Sequence, residues 1–306
     1  IRRIMAPIRG EQDVFTHFLK GKTTAEEEGR PQGLILTGGP AGSGKTSMLQ
    51  NANLDNFVEV NADSIKDFMG WGKGEDAIKN HEESSRIAND LLNTAIDNGY
   101  NVVYDSQLTN YEKAKDAIEK VLQGGGNVQI TFTNIDAPTS FVRTYVRKAA
   151  GETERDVSDE AILKGYNQGL PTFIQLYREY KDNPNVRFTL TDNNVDGRKS
   201  VLVFEKTAQK GEVIHDKKLF DELMNIGYHP ITKEGRTYYE RDEKETPETI
   251  QRKRADIERR RTALLAGKGN KGVRLAQAAQ KTPLKQAPLS YPKSPPKPSP
   301  IEEETA

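Results

Sequence analysis

The sequence predicts an α/β fold of P-loop NTPase type, a mostly parallel sheet flanked by helices, followed by an extended basic and proline-rich tail. Three observations predict it. Apolar strand-like runs alternate with amphipathic helical segments from residue 33 to about 205. A glycine-rich loop sits between the first such run and the helix after it. The alternation then stops, and composition turns basic and later proline-rich. Alternation of this kind implies crossover units and a parallel sheet.

In chain order, residues 1–31 read as a polar lead-in with one helix around EQDVFTHFL, closed by the breaker EEGRPQG. The core is assigned to 32–205. Its expected strands are GLILTG, FVEVN, NVVYD, NVQITFT and VRFTLTD. Between them, HEESSRIANDLLNTAIDNG and YEKAKDAIEKVLQGG are expected helices. In the second, Ala114, Ala117, Ile118, Val121 and Leu122 keep the 3.6-residue period of a face packed on a sheet. Residues 206–245 read as a small α/β appendage. Residues 246–306, with QRKRADIERRRTALL and TPLKQAPLSYPKSPPKPSP, read as an extended tail unable to form a core of its own. A chain ending at Glu245 is accordingly expected to keep its melting temperature and its activity. What it should lose is any salt-sensitive association with an acidic partner or nucleic acid.

The loop GGPAGSGKTS fills the pattern G-x-x-x-x-G-K-[ST] with Gly39, Gly44, Lys45 and Thr46. Glycine lets successive amides turn inward around a phosphate where a side chain would block them. Residues Gly39, Pro40, Ala41, Gly42, Ser43, Gly44, Lys45, Thr46 and Ser47 are therefore the expected ATP-binding set. Lys45 reaches the β- and γ-phosphates. Thr46 opens a helix whose N-terminus favours an anion, and its hydroxyl is the expected Mg²⁺ ligand.

Lys+Arg and Asp+Glu both number 45, so net charge exerts no overall pull toward nucleic acid or an anionic membrane. The absence of cysteine excludes disulfides, thiolate metal sites and cysteine nucleophiles. No apolar run approaches the roughly 20 residues of a bilayer span, and IRRIMAPIRG lacks the apolar centre of a secretory signal. A soluble, cytoplasmic protein is expected. Because the sequence begins at Ile1, it is expected to be processed, trimmed or part of a longer polypeptide.

The rest of the reaction must come from charged groups near the carboxyl ends of the strands. Asp63, in VEVNADSIK, is placed either to take a proton from an acceptor hydroxyl or to cap a helix. Asp105 ends NVVYD, where it would hold Mg²⁺ through water or bind substrate hydroxyls. Arg143 and Arg147 share a helical face, and Arg155 follows in a loop. Cations there would meet the charge that spreads over a transferring phosphoryl group. His81 is read as structural rather than catalytic.

These segments, over roughly 33–192, resemble the zeta toxin family of P-loop kinases, which phosphorylate UDP-N-acetylglucosamine at the sugar 3′-hydroxyl. The resemblance implies Asp63 as general base, Lys45 and Thr46 on phosphates and Mg²⁺, Asp105 as acceptor ligand, and Arg147 and Arg155 as lid cations. A protein inhibitor of antitoxin type would be the partner. Two departures fall on the acceptor and γ-phosphate side: Ser106 and Gln107 replace a Gly-Thr pair, and Glu154 replaces the glycine before the lid arginine. Two other readings stay open. One is a P-loop kinase of a nucleoside or polynucleotide 5′-hydroxyl. The other is an assembly protein that carries a kinase-like domain and attaches to a partner through its tail, where a merely solubilising tail is the simpler account.

Overall fold

A computed structural model describes residues 10–45, 49, 54–72, 74–150, 157–194 and 200–267. Its centre is a seven-stranded sheet of order β2-β3-β1-β4-β5-β6-β7. The strands are β1 (Gly33–Gly38), β2 (Val58–Val60), β3 (Val102–Asp105), β4 (Asn127–Asn134), β5 (Val186–Asp192), β6 (Val201–Thr207) and β7 (Gly211–Ile214). The first five in spatial order run parallel, and β6 and β7 close the sheet antiparallel. All six residues of β1 are buried. That is the apolar run expected of a central strand covered on both faces.

The helices are α1 (Glu11–Leu19), α2 (Ala62–Met69), α3 (Gly74–Lys79), α4 (His81–Asp97), α5 (Tyr111–Gln123), α6 (Ala137–Ala149), α7 (Asp159–Tyr180), α8 (Lys217–Met224) and α9 (Pro247–Gly267). On α5, Ala114, Ala117, Ile118 and Val121 are buried as their spacing requires. They join Leu91 and Leu92 of α4, Phe173 and Ile174 of α7, and Leu34 and Leu36 of β1 in one core. A second, smaller cluster on the opposite face joins Ile35, Phe57 and Val103.

Two expected boundaries need correction. The break at 205 falls inside β6, which pairs with β5, and β7 extends the same sheet. Antiparallel strands can be added at an edge without a crossover helix, so the end of alternation does not mark the end of the sheet. Beyond it, α8 is followed by the hairpin of β8 (Tyr228–Lys233) and β9 (Arg236–Arg241).

The second correction concerns the tail. Its first part is not extended: α9 packs on α6. Ile257 is 3% exposed among Phe141, Val142, Val146, Ile162 and Leu163, with Ile250, Leu264 and Leu265 at the margin. Arg260 donates to Thr139 Oγ1 at 2.9 Å. Asn167 fixes the helix start by exchanging hydrogen bonds with the Glu245 backbone at 2.8 and 3.0 Å. Ile250, Ile257 and Leu264 recur every seven residues and make one narrow stripe. Residues 268–306 lie outside the described residues. No helix among those described is long and apolar enough to cross a membrane.

Candidate active site

Strand order reverses at β1, which has β3 on one side and β4 on the other. Ligands of open α/β sheets bind outside the carboxyl ends of the strands at such a point. The loop from Gly39 to Lys45 leaves β1 there.

Backbone geometry dictates the glycines. Gly39 has φ of +138°, and a Cβ on it would stand 2.5 Å from the Thr133 carbonyl. Gly42 and Gly44 have φ of +74° and +95°. A Cβ on Gly44 would meet Asn193 Nδ2 at 2.8 Å. Asn193 donates through that nitrogen to the Ser43 carbonyl at 2.8 Å, bracing the loop from the end of β5. From α6, Ser140 Oγ donates to the Ala41 carbonyl at 2.5 Å, and Arg143 to the Gly42 carbonyl at 3.4 Å. Pro40 lies under α7 at Gly165, where a Cβ would come 3.2 Å from the Pro40 Cα. Lys45 is half-buried. Its ammonium donates to the carbonyls of Gly39 at 2.6 Å and Pro40 at 3.1 Å.

The Lys45 ammonium shows which groups converge. Surrounding protein desolvates it and lowers its pKa; the Asp105 and Asp63 carboxylates oppose that shift, and Arg147 reinforces it. The loop lysine thus feels both acids and the exposed Arg147 of α6. Arg143, on the same helical face, serves the loop backbone instead. Thr46, Ser47 and Arg155 lie outside the described residues.

Asp105 is held on both oxygens. It is the register partner of Thr37, whose hydroxyl donates to Oδ1 at 2.7 Å, and Asn61 donates to Oδ2 at 2.9 Å. The same Asn61 caps α2 by accepting from the Asp63 amide at 2.7 Å. Of the two readings of Asp63, the capping role therefore belongs to its neighbour. Asp63 sits in the first turn with its side chain 48% exposed. Lys66, one turn on and buried, donates to Asp63 Oδ1 at 3.1 Å and lies 3.1 Å from His81 Nδ1. Burial first, and then the Lys66 charge, lower the His81 pKa. The imidazole is thus kept neutral and accepts from the ammonium.

Sequence reading missed Thr37, Asn61, Lys66 and Asn193. Asn61 and Asn193 each follow a strand end, which was a usable signal. Lys66 had only its i+3 spacing from Asp63. Among the described residues no group of three or more His, Asp and Glu could hold a metal ion. A magnesium ion would fit this site as a companion of nucleotide phosphates.

A parallel sheet with a phosphate-binding loop at its switch point, two carboxylates and a cationic helix beyond the strands defines a P-loop NTPase-type fold. The zeta toxin family profile matches residues 16–218, and the chain belongs to the zeta toxin family. No curated protein sequence matches it. Among solved structures, a complex of AvrRxo1-ORF1 and AvrRxo1-ORF2 with sulphate ions superposes with a TM-score of 0.60 at 15% identity, covering 89% of this chain and 88% of the other. An ATP-containing crystal of the same pair gives 0.58 with the same coverage and identity. A structure from the PezAT toxin-antitoxin system of Streptococcus pneumoniae gives 0.51 at 14% identity, covering 83% and 94%. At such identities these likenesses show the fold.

Proposed function

We propose that the chain is a kinase that transfers the γ-phosphoryl group of ATP to a hydroxyl of a nucleotide-sugar of the UDP-N-acetylglucosamine type. The observation that carries this reading is the convergence of Lys45, Arg147, Asp63 and Asp105 on the end of β1. Family membership and the ATP in one structural neighbour support it.

The chain's residues divide the work. Loop amides and Lys45 take the β- and γ-phosphates, which requires Lys45 to exchange the Gly39 and Pro40 carbonyls for phosphate oxygens. Asp105, oriented by Thr37 and Asn61, accepts from acceptor hydroxyls. Asp63, steadied by Lys66, takes the proton of the attacking hydroxyl. Arg147, joined by Arg155, meets charge that builds on the transferred group. The Thr46 hydroxyl together with the nucleotide would hold Mg²⁺, which would supply charge neutralisation on the phosphates. The reaction needs positioning and electrostatics and no nucleophilic side chain.

A protein inhibitor of antitoxin type is part of the same reading, since one neighbour comes from a toxin-antitoxin system. The test is mass spectrometry after incubation with ATP, Mg²⁺ and UDP-N-acetylglucosamine. A product heavier by one phosphoryl group is expected. If instead an oligonucleotide 5′-hydroxyl is phosphorylated and the sugar nucleotide is untouched, the reading is wrong. If ATP with Mg²⁺ fails to raise the melting temperature, no live nucleotide site exists and the assembly-protein reading takes its place.

A further inference from the structure

The β8–β9 hairpin lies beyond the segment matched by the family, yet it is anchored on the two helices beside the site. Tyr239 meets Tyr111 edge to face at 4.9 Å, and the Thr237 amide donates to Glu112 at 3.2 Å. Tyr111 and Glu112 open α5, the helix that follows Asp105. Arg241 donates to the Tyr166 carbonyl at 3.1 Å and covers that ring at 4.4 Å. Tyr166 adjoins Gly165, which touches the phosphate loop at Pro40. The open end of the hairpin therefore lies beside the phosphate loop, and its tip lies at the start of α5, the helix that follows Asp105.

That tip carries charges that folding alone does not favour. Lys233 and Arg236 are direct cross-strand partners around the turn Glu234–Gly235, whose φ angles are +51° and +72°. Like charges in such a pair are destabilising. They face two more cations, Lys113 of α5 and Lys164 of α7. Burial and then Arg236 lower the Lys113 pKa, Lys164 adding to the effect and Asp90 opposing it; burial and then Lys233 lower that of Lys164. Among the described residues, neither the Lys113 nor the Lys164 side chain makes a hydrogen bond or ion pair.

The neighbouring acids have closer partners, although Asp90 still acts on Lys113 and Glu240 on Lys233. Asp90 pairs with Arg86 at 2.7 Å, Glu240 with Lys244 at 2.6 Å, and Glu112 takes the Thr237 amide. Four cations from three elements, none of them in an ion pair among the described residues although Asp90, Glu112, Glu234 and Glu240 lie close by, stand beside the proposed phosphoryl-transfer site and match an anion with two adjacent charges.

We propose that Lys113, Lys164, Lys233 and Arg236 form a subsite for the diphosphate of the acceptor, so that a hairpin outside the family segment selects nucleoside-diphosphate derivatives. This rests on the reading of the chain as a kinase of a nucleotide-sugar.

The test titrates inorganic pyrophosphate into the full chain by calorimetry, with the phosphate loop filled by a saturating non-hydrolysable ATP analogue and Mg²⁺. One pyrophosphate site is expected. Replacing Lys233→Gln and Arg236→Gln together should weaken it about tenfold and raise KM for UDP-N-acetylglucosamine by a similar factor, with KM for ATP unmoved. The charge-keeping pair Lys233→Arg and Arg236→Lys should restore binding, which separates lost charge from a disturbed hairpin. Absence of a pyrophosphate site with the loop filled, or equal binding by the glutamine variant, overturns the subsite. Pyrophosphate binding that follows the hairpin charges, with no phosphorylated UDP-N-acetylglucosamine formed, overturns the assigned acceptor and leaves the subsite standing.

Discussion

The proposed nucleotide half of the site is built from backbone, and the proposed acceptor half from side chains. Around the phosphate loop the bracing contacts from Ser140, Arg143 and Asn193 all end on loop carbonyls. Across the site, Asp105 is set by the side chains of Thr37 and Asn61, and Asp63 by Lys66. A backbone cradle constrains residue type at each turn, because only glycine accepts the positive φ and the close approach. A side-chain cradle constrains only what meets in space. In the proposed function, recognition of the phosphate is thus fixed locally, whereas recognition of the acceptor depends on elements far apart in the sequence.

Breaking the nucleotide half should have the largest effect. Lys45→Ala is expected to abolish transfer and to erase the rise in melting temperature caused by ATP and Mg²⁺. Gly39→Ala should do the same without touching any charge, since its Cβ would collide with the Thr133 carbonyl. An alanine variant at 39 that still binds ATP normally would show that the loop yields and that the backbone half is less constrained than described.

On the acceptor side, Asp63→Asn should leave ATP binding intact and lower kcat by roughly 10² to 10⁴. Near-normal turnover would remove Asp63 from the chemistry. The support behind it should matter less. Lys66→Met is expected to lower kcat about tenfold, with Lys66→Arg recovering part of it. Equal activity of the methionine variant and the parent would reduce the Lys66–Asp63 contact to a structural one.

A smaller, stability-only effect separates the site from its scaffold. Ile257→Ala should destabilise the fold by about 2 kcal/mol through lost burial and a residual cavity, read by denaturant unfolding. Removal of residues 246–306 should likewise lower the melting temperature, because it uncovers Phe141, Val142 and Val146 on α6. An unchanged melting temperature would return α9 to the status of a dispensable tail.

The smallest effect concerns pH. The folded-state pKa of His81 lies below its ordinary 6.5, so below that value the unfolded chain takes up this proton first. Its contribution is complete above 6.5 and is lost as pH falls through the window beneath it. The difference in unfolding free energy between parent and His81→Gln should therefore narrow toward acid. A difference that stays constant or widens would mean the imidazole is not kept neutral by its burial and the Lys66 charge.

The five parallel strands and the glycine loop can be read from the residues alone. Gly33–Gly38 and the loop after it were legible because a fully apolar strand and a glycine-bound phosphate cradle are consequences of local backbone geometry. Helix α5 was legible for a similar reason, its 3.6-residue period being a property of one segment. That β6 and β7 continue the sheet, that Asn61 and not Asp63 caps α2, and that Lys66 reaches His81 became visible only once distant segments had been brought together. The same holds for where α9 belongs: Ile250, Ile257 and Leu264 gave a visible seven-residue stripe, but one too narrow to close a core until α6 supplied Phe141 and Val146 from more than a hundred positions earlier. The hairpin cations are the extreme case. Lys113, Lys164, Lys233 and Arg236 are unremarkable where they stand in the chain, since charge repulsion acts through space and becomes a signal only after folding has brought them together.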